Sequence, residues 1–216
     1  MHGWGGSTDS FLGLAKQLST NFRVTLVDFY GHGKTPYPDR ELTLDDYVLS
    51  VYEIIKHYKM KSASIIAHSF GGRVALKLAY KYGYILDRLI LIDSAGIKPR
   101  RGVKYHYKVF RHKILKKLHI KHKSGSADYN KLRPSEKKTF INIVNENLTD
   151  ILHKITVPTL IIWGNKDKDT PIYMARKLNK KLCSGGLVII KDAGHFSYLD
   201  KPGRVLIIIR SFMSEG

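Results

Sequence analysis

The stretch Ser62–Gly72, SASIIAHSFGG, decides how the rest of the chain is read. A short β-branched run passes without a break into Ala67-His68-Ser69-Phe70-Gly71. A helix-period segment with Val74, Ala75, Leu78 and Ala79 on one face follows. This is the small-x-Ser-x-Gly pattern of a nucleophile elbow, with Ala67 in place of the usual first glycine. A serine on so tight a strand-to-helix turn needs small residues two before and two after it, and Ala67 and Gly71 meet that need. The helix start also brings backbone N–H groups and the positive end of the helix dipole close to the hydroxyl. The pentapeptide alone fits equally well a serine that merely caps a helix.

Outward from Ser69, apolar runs alternate with helix-period segments. Upstream, a helix from about Asp9 to Leu18 precedes the expected strand FRVTLVDF (22–29), and a second helix begins at Thr43, with Asp46 placed to complete a capping box. Downstream come the expected strands DRLILIDS, TLIIWG and GLVIIKD. A helix is expected from about Thr170-Pro171 and a closing helix from about Pro202 to Met213. Strands that are apolar throughout, each followed by a helix, predict an α/β fold whose mostly parallel sheet is covered on both faces.

The rhythm breaks between Ile97 and Lys154. This stretch is helix-like, and Val103, Tyr107, Phe110, Ile114, Leu115 and Leu118 share one face. Inserted where strands end, it reads as a helical lid over the ligand crevice. The expected division is 1–96 and 155–216 for the core and 97–154 for the lid. The chain carries 37 Lys and Arg against 18 Asp and Glu, a net charge of +19 in 216 residues. Eleven of those cations and no acid fall between Ile97 and Ala127. The excess belongs to one region, which argues against a nucleic-acid coat, and no reading motif for nucleic acid is present. The basic face reads first as a solvated lid surface. Attraction of an anionic substrate or an acidic membrane surface is the second reading. One cysteine, Cys183, and the absence of a basic-then-apolar leader fit a reducing, cytoplasmic setting.

A nucleophilic serine needs a base, and the base needs an acid to orient it. Asp167 follows the run TLIIWG, and His195 lies in DAGHF after GLVIIKD. Ser69, Asp167 and His195 thus all fall at carboxyl ends of expected parallel strands. Two acids compete with Asp167: Asp93, at the end of DRLILIDS, ranks second, and Asp169, read as helping to start the next helix, ranks third. No His-Glu-x-x-His motif, paired cysteines or phosphate-cradling loop appears, so no metal and no cofactor are expected.

Taken together, HGWGGS, VDFYGHGKT, AHSFGGRVAL, WGNKDKDTP and DAGHFSYLDKP resemble the α/β-hydrolase superfamily, in the branch with a helical lid. The resemblance implies Ser69 as nucleophile, His195 as general base and Asp167 as its partner. It also implies an oxyanion hole from the backbone N–H groups of Phe70 and Trp4. A small-molecule substrate is implied, first a carboxylic ester, with thioesters, amides and C–C bonds next to ketones left open; the other class of reading is a non-catalytic binding protein on the same fold or an inactive truncated remnant. The opening residues resemble the oxyanion loop that follows the family's third strand. That strand, with the two before it, is missing from this sequence. The expectation is therefore a truncated hydrolase, with the neighbouring backbone groups short of partners at about 1–3 kcal/mol each.

Overall fold

The computed structural model describes residues 1–98 and 132–214. The basic part of the expected lid, including the stripe from Val103 to Leu118, lies outside these residues. Among the described residues four parallel strands form the sheet: β1 (Ala63–His68), β2 (Leu86–Ile92), β3 (Thr159–Gly164) and β4 (Gly185–Ile190), in the spatial order β1-β2-β3-β4. The register pairs His68 with Ile92 and Ile92 with Ile162, so the carboxyl ends of the strands align along one rim.

Both faces are buried, because side chains alternate across the pleat. Leu89, Leu91, Ile161 and Trp163 pack toward one layer, with α2 (Leu44–His57), α3 (Phe70–Tyr82) and α5 (Tyr173–Lys181). Ile90, Ile92, Leu160 and Ile162 face the other, with α1 (Leu12–Leu18), the short α6 (Ser197–Asp200) and α7 (Pro202–Ser214). The α2 start is as the sequence predicts: the Thr43 N–H donates to Asp46 Oδ2 at 2.7 Å, closing a capping box. Helix α5 departs from expectation. It begins at Tyr173 with no side-chain cap, so Asp169 does not start it.

The described end of the insertion, α4 (Pro134–Asn145), packs onto the core through Ile143. It also docks on the loop before α2, where Thr139 Oγ1 lies 2.6 Å from the Tyr37 hydroxyl and accepts the Leu42 N–H at 2.7 Å. Among the described residues no helix is long and apolar enough to cross a membrane.

One expected element is corrected. Residues 22–29 form no strand, although their β-branched pattern is present. A ladder requires a partner, and a cleft of about 540 Å³ separates this segment from the edge of β1. The opening residues bridge only its end. The Met1 amino group donates to the Ile66 carbonyl at 2.7 Å, and the His68 N–H donates to the Met1 carbonyl at 3.0 Å. Burial lowers the Met1 ammonium to about 5, so this end is neutral at neutral pH.

Candidate active site

Ser69 stands between β1 and α3 with φ 49° and ψ −113°, a left-handed conformation that a serine adopts only under constraint. The constraint comes from its neighbours. The Ser69 N–H donates to the Ile92 carbonyl at 3.1 Å, and its carbonyl accepts the N–H groups of Gly72 and Ala95. Gly71 is small for a visible reason: a Cβ there would lie 2.7 Å from the His2 carbonyl oxygen and 2.8 Å from that of Met1. The elbow and the opening loop are therefore packed backbone to backbone.

The three residues singled out from their places at strand ends meet. His195 Nε2 lies 3.0 Å from Ser69 Oγ, and His195 Nδ1 lies 2.8 Å from Asp167 Oδ2. Asp167 is buried and held by further donors. Its Oδ1 accepts the N–H groups of Asp169 and Thr170 at 2.8 and 2.9 Å, and its Oδ2 accepts the Thr170 hydroxyl at 2.6 Å. Burial by itself would raise the Asp167 carboxyl, but the hydrogen bonds from His195 and Thr170 outweigh it and hold the group below the usual carboxylate range. His195 shows the converse balance. Burial opposes its positive form, yet Asp167 beside it, helped by Asp169 and Asp93, raises the ring above its ordinary value.

The rival acids have other work. Asp93, fully buried and itself at φ 45°, does not reach the histidine ring. Its Oδ1 accepts the Gly164 N–H at 2.7 Å and its Oδ2 accepts the Ser197 N–H at 2.9 Å. One carboxylate thereby clamps the loop that carries Asp167 to the loop that carries His195. Burial pushes this carboxyl up to about 6. Asp169 is exposed and contributes its backbone N–H to Asp167.

Two contributors escaped the sequence reading. His68 lies beneath the site with its Nε2 2.6 Å from the His195 carbonyl oxygen, and burial lowers its ring to about 3, so it is a neutral donor that fixes the His195 backbone. Thr170, adjacent to the expected helix start, braces Asp167 as described. His2 is likewise neutral, lowered by burial to about 4, and its Nε2 accepts the Phe29 N–H at 3.2 Å, tying the opening loop to residues 22–29. The Trp4 ring packs edge-on against both Phe70 and Phe140, with centroids 5.1 Å apart in each case, so α4 roofs the loop beside Ser69.

Among the described residues one set of three donor atoms, from Asp167, Asp169 and His195, lies within 4.8 Å. Both ring nitrogens of His195 are already engaged, one by Asp167 and one by Ser69, which fits a hydrogen-bonded relay better than a metal ligand set.

The sequence and the fold have known counterparts. The chain is 24% identical over 261 residues to a monoacylglycerol lipase of Homo sapiens, covering all of this chain and 74% of that one. It is 25% identical over 240 residues to the 2-hydroxy-6-oxo-6-(2'-aminophenyl)hexa-2,4-dienoic acid hydrolase of Metapseudomonas resinovorans, covering 100% of this chain and 83% of the relative. The fold matches a solved esterase from Exiguobacterium antarcticum with a TM-score of 0.78 at 23% identity, over 98% of this chain and 89% of that one. The model of the alpha/beta hydrolase family matches residues 1–207. A match of that extent, on a parallel sheet that gathers Ser69, His195 and Asp167 at one rim, establishes that the chain belongs to the alpha/beta hydrolase family.

Proposed function

We propose that this hydrolase is a serine hydrolase acting through an acyl-enzyme, with carboxylic esters of small or medium acyl groups as substrates. The observation that carries the reading is the continuous relay from Ser69 Oγ through the His195 ring to Asp167, with spacings of 3.0 and 2.8 Å. Asp167 accepts from Nδ1, so the proton of the neutral ring resides there and Nε2 is left to accept the Ser69 proton. Ser69 Oγ then attacks the ester carbonyl carbon. The carbonyl oxygen becomes an oxyanion that receives the N–H groups of Phe70 and Trp4. His195 next returns its proton to the departing alkoxide, leaving the acyl group on Ser69. A water molecule deprotonated by the same ring releases the acid and restores the serine.

The placing of the opening loop supports the Trp4 assignment. A Cβ added at Gly3 would lie 3.1 Å from Ser69 Cβ, so the backbone just before Trp4 lies against the nucleophile. The names of the lipase and esterase relatives agree with an ester substrate.

The test is labelling by a fluorophosphonate, followed by turnover of a chromogenic ester. Labelling of the wild type that is lost in both Ser69→Ala and His195→Ala is the expected result. An equally labelled Ser69→Ala protein refutes the assignment. A folded wild type that neither labels nor turns over ester would leave the non-catalytic reading standing.

A further inference from the structure

Between His2 and Ser7 the loop beside the nucleophile reads Gly3-Trp4-Gly5-Gly6, so Trp4 alone carries a side chain there. Local hydrogen bonds fold this loop on itself: the Gly3 carbonyl accepts the Gly6 N–H at 3.1 Å and lies 2.7 Å from His2 Nδ1. Gly5 sits at φ 72°, and among the described residues nothing lies within 4 Å of the place its Cβ would take. The backbone that follows Trp4 is thus without packing of its own, and the core grips this part of the loop through the Trp4 ring.

Three rings from three separate segments meet that ring edge to face. His32 lies 5.0 Å away, and Phe70 and Phe140 5.1 Å, between centroids, with interplanar angles of 83°, 77° and 72°. Two of these walls belong to the core. Phe70 opens α3, is buried and packs on Phe29 and Tyr47. His32 is buried in the turn after residues 22–29, with Nδ1 2.9 Å from the Tyr30 carbonyl oxygen. The third wall is carried by α4. The residue before it, Thr139, fastens that helix to the Tyr37 hydroxyl and the Leu42 N–H. A box with two fixed walls and one borne by α4 confines its contents only while α4 is seated.

The acyl-enzyme reading gives the oxyanion to the N–H groups of Trp4 and Phe70, the two residues whose rings touch here. Resting on that reading, we propose that Phe140 is a positioning residue for the oxyanion hole. By closing the box on Trp4 it holds the Trp4 N–H in place beside that of Phe70, and so couples the seating of α4 to turnover. Displacing a catalytic group by about 1 Å costs on the order of 100-fold, and losing one oxyanion donor costs about 10²–10³-fold. Opening one wall of three displaces the donor only in part, so the loss expected for Phe140→Ala is at least about fivefold in kcat.

The test compares the full chain with its Phe140→Ala, Phe140→Leu and Phe140→Tyr variants, and with Ile141→Ala at the exposed next position of α4. Turnover of a p-nitrophenyl ester is read beside inhibition by two ketones. A trifluoromethyl ketone adds to Ser69 Oγ and develops an oxyanion, whereas the matching methyl ketone binds without adding. In the Ala and Leu variants kcat should fall at least about fivefold with KM nearly unchanged, a loss confined to the transition state. The trifluoromethyl ketone should weaken by the same factor, the methyl ketone should not, and the pH midpoint of kcat/KM should stay in place. Phe140→Tyr should keep most of the wild-type kcat, and Ile141→Ala all of it. Phe140→Leu retains most of the side-chain volume and carries the comparison if Phe140→Ala does not fold. A smaller loss in a folded Ala or Leu variant, with Ser69 of the wild type labelled by a fluorophosphonate, overturns this proposal alone. Equal weakening of both ketones overturns it by making Phe140 a wall of the substrate pocket. A shifted pH midpoint overturns it by moving the effect to His195 and Asp167. A wild type that neither labels nor turns over ester removes the acyl-enzyme reading and this inference with it.

Discussion

Replacing Asp93 by Asn separates the holding of the site from the stability of the fold. Asp93 is fully buried and accepts one backbone N–H from each of the two loops that carry Asp167 and His195, at 2.7 and 2.9 Å. Its carboxyl rises from an ordinary value of 3.8 to about 6 on folding, chiefly through burial. A carboxyl that binds its proton more tightly in the fold destabilises the fold once ionised. The penalty is absent below about pH 3.8 and fully developed above about pH 6, where it amounts to about 3 kcal/mol. Asn removes that penalty. Its amide nitrogen cannot accept, however, so one of the two buried N–H groups loses its partner at about 1–3 kcal/mol. The two terms nearly cancel, and Asp93→Asn should change unfolding stability at pH 7 by less than about 2 kcal/mol. Catalysis has no such compensation, because a displacement of about 1 Å between base and nucleophile costs on the order of 100-fold. Steady-state hydrolysis of a p-nitrophenyl ester should show kcat down by about 100-fold with KM nearly unchanged. Urea unfolding should show that the wild type gains about 1 kcal/mol from this group between pH 6 and pH 5 and that the variant does not. A kcat within threefold of wild type would refute the clamp. So would a loss of activity matched by a collapse of the unfolding midpoint.

Three further outcomes follow from other contacts. The wild-type kcat/KM should rise with pH through a midpoint above the ordinary histidine value of 6.5, because the base must be neutral and Asp167 holds its proton on. Asp167→Asn should move that midpoint down and lower kcat by about 10⁴-fold, as read from a pH–rate profile. Gly164→Ala should lower the melting temperature by several degrees in calorimetry, since its Cβ would fall 2.2 Å from the Gly194 carbonyl oxygen, at a cost of about 1–3 kcal/mol. Thr139→Val leaves the buried Leu42 N–H without its acceptor and should cost about 1–3 kcal/mol in denaturant unfolding, whereas Thr139→Ser should retain most of the stability.

The four strands and the meeting of Ser69, His195 and Asp167 were legible in the sequence because both signals are local. Runs such as LILI and TLIIW are apolar on both faces wherever they stand, and Ser69, Asp167 and His195 each follow one at once. What escaped was relational. Residues 22–29 have strand chemistry, yet pairing belongs to two chains of backbone, and the sequence of one does not reveal whether the other is in place. Asp93 looks the same in sequence whether it serves the histidine or clamps two loops. Only the positions of the Gly164 and Ser197 N–H groups decide. His68 carried a usable signal, a histidine directly before the nucleophile on a buried strand, but its partner is a carbonyl 127 residues away.

The left-handed backbone at Ser69 recurs along the same rim. Asp93 follows β2 at φ 45°, and Asp192 lies just beyond β4 at φ 58°. Each bend turns the chain sharply away from its strand, and in a non-glycine residue each costs on the order of 1–3 kcal/mol. The edge that gathers Ser69, His195 and Asp167 is thus a loaded spring held shut by the four-stranded body beneath it. Evolution toward greater thermal resistance would find its easiest gains by relaxing the bend at Asp192, where the side chain is exposed, while the bends at Ser69 and Asp93 are the ones the proposed activity would hold in place.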